Sequence, residues 1–177
     1  MLRLGPLRLH WSLLLGAALF CALTPRPLLF VGYAAVLLAH VAGHAFAVLG
    51  SRLSVSGVLV HALGGELVGS GEATPLRRSA MAAAGVGAQL LLLVGAYAFR
   101  DWLAPDLVDA LVRRNGIVLL LNLLPVRPLD GALAWRLPGR IAAARRQRHL
   151  HEPQPTRQVQ REVSDLLAKI RGSTKVR

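Results

Sequence analysis

The feature that most constrains this chain is an apolar run, residues 28–49, that carries two histidines four positions apart. A run of this length can cross a bilayer as one α-helix, and residues four apart lie on the same face of a helix. His40 and His44 can therefore bind one metal ion together. Ionisable side chains are costly within a membrane helix and usually have a function there. Two histidines that bind no metal, and whose hydrogen bonds are satisfied by neighbouring helices, would fit the same pattern.

A second polar cluster, ending in Asp130, lies in another apolar run. Two prolines, Pro125 and Pro128, interrupt this run just before the aspartate. In lipid, such a break in a helix persists only where protein or a water-filled cavity satisfies the freed backbone groups. The break therefore indicates a site, and Asp130 is predicted to be the third metal ligand beside His40 and His44. Asp-Gly is also a common turn pair, and the two interpretations of Asp130 are compatible.

Composition assigns these runs to a membrane protein. The chain is 54% hydrophobic and has a mean hydropathy of +0.47, values that a soluble domain of this size rarely reaches. We predict an all-α membrane protein with four transmembrane helices, in which residues 1–137 form the membrane core. The predicted spans are residues 9–23, 28–49, 79–99 and 111–137.

Two further segments have patterns of their own. Residues 51–78 contain a partly alternating stretch followed by several glycines, which predicts a small strand-bearing insertion with tight turns on the cytoplasmic side. Residues 138–177 are a basic tail, and residues 158–171 within it carry apolar side chains at helical spacing. That spacing predicts a short amphipathic helix.

The distribution of charge predicts an orientation. The net charge is +12, and residues 138–177 hold eight Arg and two Lys against three acidic residues. Basic residues also precede the first predicted span and lie between the second and third, so the positive-inside rule predicts that both termini are cytoplasmic. The three proposed ligands then share one side of the membrane. A basic tail beside anionic lipid explains the charge more simply than nucleic acid does, so no nucleic-acid partner is expected.

Five motifs resemble those of the site-2 proteases, which are intramembrane zinc metalloproteases, and they occur in the same order as in that family. The resemblance is greatest to the compact bacterial branch of the family. The resemblance covers about residues 1–137. The last motif is the most specific, because it is close to the family's Asn-x-x-Pro-x-x-x-Leu-Asp-Gly. The motifs are LGPLRLHWS at residues 4–12, HVAGHA at 40–45, LGG at 63–65, AGVGAQ at 84–89 and NLLPVRPLDG at 122–131.

The resemblance implies an integral membrane protein of the bacterial inner membrane that acts on peptide bonds of other membrane proteins. It implies one Zn²⁺ per chain, held by His40, His44 and Asp130. It also implies that three residues lie near the substrate: Asn122, Gly64 and Gly65.

One departure from the family pattern bears on activity. In His-Glu-x-x-His the glutamate moves the protons of the water that zinc activates, and here that position is Val41. A general acid–base group contributes about two to four orders of magnitude in rate, and valine can neither accept nor donate a proton. Glu66 is a speculative substitute base. The third-span motif also departs, with Val86 and Gln89 where the family has Pro and Asn.

Three functions remain open from the residues and the resemblance together. The first is a site-2-protease-like zinc-binding protein, proteolytically inactive or impaired, that binds a single-span client or a partner protease in the lipid bilayer; it could be an oligomer. The second is an active intramembrane zinc metalloendopeptidase with a relocated base. The third is a metal or ion transport protein, which the absence of an inverted repeat disfavours. His61 is a possible fourth ligand, although a lone loop histidine is more often a surface residue.

Overall fold

The computed structural model describes residues 2–21, 26–49, 53–71, 73–127, 129–151, 161 and 164–170. The chain divides into two compact units, Met1–Ile141 and Ala142–Arg177. The first unit contains the sheet and the apolar helices. In the second unit, residues 164–170 are helical with exposed side chains, and the rest of the predicted amphipathic helix, apart from residue 161, lies outside the described residues.

The helices begin where local sequence favours a helix start. Proline is the first residue of α2, α3 and α4, a position where its missing N–H forgoes no hydrogen bond. Thr74 caps α3, because its side-chain oxygen accepts a hydrogen bond from the backbone N–H of Arg77 at 3.3 Å. The helices are α1 (Ser12–Phe20), α2 (Pro27–Val48), α3 (Pro75–Ala98), α4 (Pro105–Val108), α5 (Asn115–Asn122), α6 (Gly131–Ala134) and α7 (Leu137–His151).

Of the described helices, α2 and α3 are long and apolar enough to cross a membrane. The helix predicted at residues 28–49 agrees with α2 to within one residue at each end. The helix predicted at residues 79–99 begins earlier, at Pro75, because Thr74 supplies the cap. Both helices carry exposed apolar side chains along much of their length, as lipid-facing helices do. The expected count of four spans is not confirmed.

The first predicted span, residues 9–23, was wrong at its start. Leu7–Leu9 is a strand, and α1 is nine residues long, which corresponds to about 14 Å; residues 22–25 lie outside the described part. Leu-Arg-Leu stands on both sides of Gly5 and Pro6. That alternation around a turn pair is a hairpin pattern, which the apolar character of the whole run concealed.

The break predicted within the fourth span, residues 111–137, is present, but the start of the span was wrong. The helical stretch begins at Pro105, passes through π-helical residues Asp109–Arg114 and ends with α5 at Asn122. The residues described between Asn122 and Gly131 form turns and bends. The predicted break at the prolines therefore ends the helix, and only the four residues of α6 resume it before the chain turns into α7.

Four strands form one sheet in the order β1-β2-β3-β4. β1 (Leu2–Leu4) and β2 (Leu7–Leu9) are an antiparallel hairpin, whose turn contains Gly5 at a φ of 62°. β2 pairs in parallel with β3 (Ser54–His61), and β3 pairs antiparallel with β4 (Gly64–Ser70). The predicted insertion therefore contains two strands and is joined by the chain's first residues. β4 lies against α2, and this contact positions the site.

The first unit buries polar side chains and exposes apolar ones. An apolar cluster around Leu29, Val36 and Ala110 packs α2 against the π-helical segment. Outside this cluster, α3 exposes Leu91 and Val94. Buried polar groups that pair with one another beside an apolar cluster, with apolar side chains also on the outside, suit a chain surrounded by lipid. The buried polar residues are His40, His44, Ser79, Gln89, Asn115 and Asn122.

Candidate metal centre

Three of the predicted residues converge on one point. The Nε2 atoms of His40 and His44 are 2.9 Å apart, and the Oδ2 atom of Asp130 lies 3.1 Å from the first and 3.2 Å from the second. Both histidines are buried, and the Asp130 side chain is 20% exposed. Two nitrogens and a carboxylate oxygen thus form a nearly equilateral triangle inside the first unit.

This triangle has the size of one face of a metal coordination sphere. Nitrogen and oxygen ligands bound at about 2.0–2.2 Å to a tetrahedral zinc ion are roughly 3.3–3.5 Å apart. The three observed separations are slightly shorter, so a small outward movement of the ligand atoms would admit the ion. The donor set of two imidazoles and one carboxylate is also one that zinc accepts. The predicted ligand set therefore fits a metal by geometry and by chemistry.

His44 is oriented by a backbone group of α3. Its Nδ1–H donates a hydrogen bond to the carbonyl oxygen of Met81 at 2.9 Å. A hydrogen bond of this kind fixes the tautomer, so that Nε2 carries the lone pair that a metal needs. The Nδ1 atom of His40 is buried and has no hydrogen-bond partner among the described residues. The two rings are therefore held differently, His44 by a hydrogen bond and His40 by packing.

Two glycines make room for the imidazoles. A Cβ atom on Gly64, at the start of β4, would lie 2.6 Å from the Cδ2 and Nε2 atoms of His40. A Cβ atom on Gly85, within α3, would lie 2.6 Å from the Cε1 and Nε2 atoms of His44. Real side chains do not approach so closely, so the rings occupy the space that these two residues leave free. Gly64 thus lies against a ligand ring, and its position near a substrate, which the resemblance implies, stays a prediction.

Asp130 is held by the turn between α5 and α6. A Cβ atom on Gly131 would lie 2.3–2.4 Å from the backbone of Leu123 and Leu124, so only glycine lets the chain cross at this point. Trp135 donates from its ring nitrogen to the Leu123 carbonyl oxygen at 2.7 Å. Within the described residues the Asp130 side chain makes no capping bond to α6. Its carboxylate faces the two histidines instead of the backbone N–H groups of α6.

Asn122 is buried, and its side chain bonds two other elements. Its side-chain amide donates to the Leu63 carbonyl oxygen at 2.8 Å and to Gln89 Oε1 at 3.2 Å. The Gln89 backbone carbonyl in turn accepts from the Asn115 side chain at 3.0 Å. Asn122 thereby ties α5 to the β3–β4 turn and to α3. Sequence reasoning missed the roles of Gln89 and Asn115, although polar residues within apolar runs were a signal that could have found them.

A cavity of about 900 Å³ opens beside the triangle. The three ligand residues line it together with Asn122 and Gly65. Five further ionisable side chains line the same cavity: His10, His61, Glu66, Arg78 and Arg127. Burial of the side chain lowers the pKa of His61, and the nearby His40 lowers it further to a smaller extent. At pH 7 the imidazole is therefore mainly in its neutral form, which can bind a metal.

Val41 lies next to the site without offering any chemistry. It follows His40 on α2 and is partly buried. A Cβ atom on Gly65 would lie 2.5 Å from Val41 Cγ2, so the valine packs against the backbone of β4. The position that carries a carboxylate in the zincin pattern is here an apolar contact between α2 and the sheet.

No protein-family model matches this sequence, and no curated protein matches it. Among solved structures, the chain is similar to the site-2 protease from Methanocaldococcus jannaschii, with a TM-score of 0.61 at 15% sequence identity. The similarity covers 77% of this chain and 68% of that one. At this level of identity the comparison establishes architecture and not activity. The chain therefore has a site-2-protease-like fold.

Proposed function

We propose that this protein is a site-2-protease-like membrane protein that holds one zinc ion and binds a segment of another membrane protein with little or no cleavage. The observation that carries the proposal is the triangle of His40, His44 and Asp130 with Val41 beside it. The ligand positions are those of a metal site, and the acid–base position next to them is apolar.

Zinc is the metal proposed because of the donor set and the tetrahedral spacing. When bound, zinc can polarise a carbonyl group and lower the pKa of water. The protein's own residues would hold the ion and orient His44 through Met81. Proton transfer to a leaving amine needs a further group, and Val41 cannot provide it. The proposed protein therefore retains the metal and lacks an efficient route to hydrolysis.

The proposed binding surface is the free edge of β4. In the described sheet β4 is the last strand and pairs with β3 alone. Gly65, Glu66 and Leu67 of β4 line the cavity. An exposed strand edge can bind an extended peptide by adding it to the sheet through main-chain hydrogen bonds. A client helix that unwinds locally would thus lie along β4 beside the metal.

The test combines metal content with cleavage. Protein purified in detergent without chelator is expected to contain about one zinc per chain, by the ligand argument above, and His44→Ala or Asp130→Ala should remove it. Wild-type protein should leave a helix-destabilised single-span substrate uncut. A variant with a photoreactive residue in place of Leu67 should crosslink to that substrate. Zinc-free wild-type protein would refute the metal site, and crosslinking equal to that of an unrelated span would refute the binding surface.

One observation favours a second candidate, an active metalloendopeptidase with a relocated base. Glu66 lines the same cavity as the three ligands, and its carboxylate is chemically able to replace the missing group. In that case the wild-type protein would cleave the substrate and Glu66→Gln would abolish cleavage while zinc remains bound. The same assay therefore decides between the two candidates.

A further inference from the structure

His61 lies beside the metal ligands although it is distant from them in sequence. It is the last residue of β3 and the direct cross-strand partner of Gly64. Directly opposed residues of an antiparallel pair project from the same face of the sheet, with Cβ atoms about 4.5–5.5 Å apart. The Cβ position of Gly64 is 2.6 Å from His40 Nε2. The His61 side chain therefore leaves the sheet on the face that meets His40, and Gly64 places no side chain between them.

The backbone that presents His61 is fixed by three different elements. Immediately after it, the Ala62 carbonyl oxygen accepts a hydrogen bond from Tyr33 of α2 at 2.8 Å, and the Ala62 N–H donates to Ser12 of α1 at 3.3 Å. The Leu63 carbonyl oxygen accepts from Asn122 of α5 at 2.8 Å. A turn held in this way fixes the backbone from which the His61 side chain extends, which is part of what a preorganised ligand requires.

We infer that His61 is the fourth protein ligand and closes the coordination sphere of the metal. The inference rests on the proposed function. The ligand atoms of His40, His44 and Asp130 lie within 4.8 Å of one another. His61 lines the same cavity, and in the proposed site its imidazole turns toward these three atoms when the metal binds. Zinc with four protein ligands is a structural site, whereas a catalytic site keeps one position open.

A closed site gives a physical reason for Val41. A glutamate at position 41 is useful only when an exchangeable water occupies the fourth metal position. If an imidazole fills that position, the carboxylate has nothing to deprotonate. It would then be a buried charge without a partner, which destabilises a protein. An apolar residue that packs on β4 is more favourable there.

The experiment measures access to the metal with cobalt(II), whose visible spectrum reports its ligands. Full-length protein in detergent is loaded with cobalt(II) and titrated with azide, a small ligand that can occupy only an open position. The wild-type spectrum is expected to remain unchanged. In His61→Ala the spectrum should respond to azide, and the metal affinity should fall by roughly tenfold or more, the loss that even outer-shell partners cause. Ser54→Ala, at the other end of β3 in the same cavity, should behave as wild type.

Each outcome supports or overturns the closed site. A wild-type spectrum that shifts with azide would overturn it and leave the zinc-binding function intact. Unchanged metal affinity in His61→Ala would do the same. Failure of the wild-type protein to bind cobalt or zinc at all would refute the proposed function itself. The wild-type titration needs no variant, so it decides the question even if His61→Ala does not fold.

Discussion

At the scale of single residues, the site depends on glycines, which have no side chain, as much as on the ligand residues. Gly64 and Gly85 leave the space that the two imidazoles fill, and Gly131 allows the turn that carries Asp130. Because the close contacts of Gly64 and Gly85 are with the ligand rings, a substitution at either position should damage the metal site before it damages the fold.

Gly85→Ala tests this directly. The new methyl group would lie 2.6 Å from the His44 ring and 3.1 Å from His40 Cε1, so the rings must move and we expect most of the bound zinc to be lost. Gly87→Ala is the matched control on the same helix, since no described atom lies within 4 Å of its Cβ position. It should retain zinc and melt at an equal or slightly higher temperature, because alanine favours a helix by about 1 kcal/mol over glycine. Zinc content and Tm in detergent are the measurements, and equal zinc content in both variants would contradict the packing argument.

Val41→Glu tests what separates this site from a hydrolytic one. A carboxylate at position 41 should supply the acid–base group, which is worth about two to four orders of magnitude in rate. If His61 occupies the fourth position, Val41→Glu alone should leave a single-span substrate uncut, and Val41→Glu with His61→Ala should cleave it. Gel assays of cleavage, with Val41→Gln as the isosteric control, distinguish these cases. Activity that survives the further change His44→Ala would show that a contaminating protease is responsible.

At the scale of elements, a network of buried amides sets the distance between the sheet and the helices. Asn122 joins α5 to the β3–β4 turn, and Gln89 joins it to α3. Such bonds in a dry interior hold elements in one arrangement, since leaving a buried polar group unpaired costs about 1–3 kcal/mol.

Asn122→Ala should therefore loosen the turn that follows His61. We expect destabilisation of about 1–3 kcal/mol, seen as a lower Tm in detergent, together with weaker zinc binding. Asn115→Ala is the matched control, because Asn115 is equally buried and bonds the carbonyl oxygens of Gln89 and Leu111 instead. It should lower the Tm to a similar extent and leave zinc affinity unchanged. Equal losses of zinc affinity in both variants would mean that general stability, and not the turn, determines metal binding.

At the scale of the whole molecule, the orientation in the membrane remains a prediction. The positive-inside rule predicts that both termini and β4 lie on the cytoplasmic side. The 3-10 turn Arg100–Trp102, which precedes α4, is then predicted to lie on the opposite side of the membrane. Single cysteines at Ser70 and Trp102, introduced into a Cys21→Ser background, allow labelling with an impermeant maleimide. Trp102 is 88% exposed, and its replacement removes neither partner of the Arg26–Asp106 ion pair. Intact cells should label position 102 and not position 70; the reverse result would invert the topology.

Local sequence determined the parts of the site that helix periodicity and turn chemistry control. The spacing of His40 and His44 on one helix sets their common face whatever surrounds them. The prolines before Asp130 end a helix because proline lacks the N–H that the ladder needs. These properties hold for the isolated segments, so the histidine pair, the break before Asp130 and the extent of α2 could be predicted from the residues.

Tertiary structure alone decided the rest, because it depends on contacts between residues far apart in the chain. Nothing in Leu7–Leu9 specifies a parallel partner some fifty residues later, so the strand was mistaken for the start of a helix. Asn122 gives no local sign that its amide bonds Leu63, and His61 resembles any strand histidine until its register against Gly64 places it beside His40. Register and packing are properties of the assembled elements, and they determine how the metal site is enclosed.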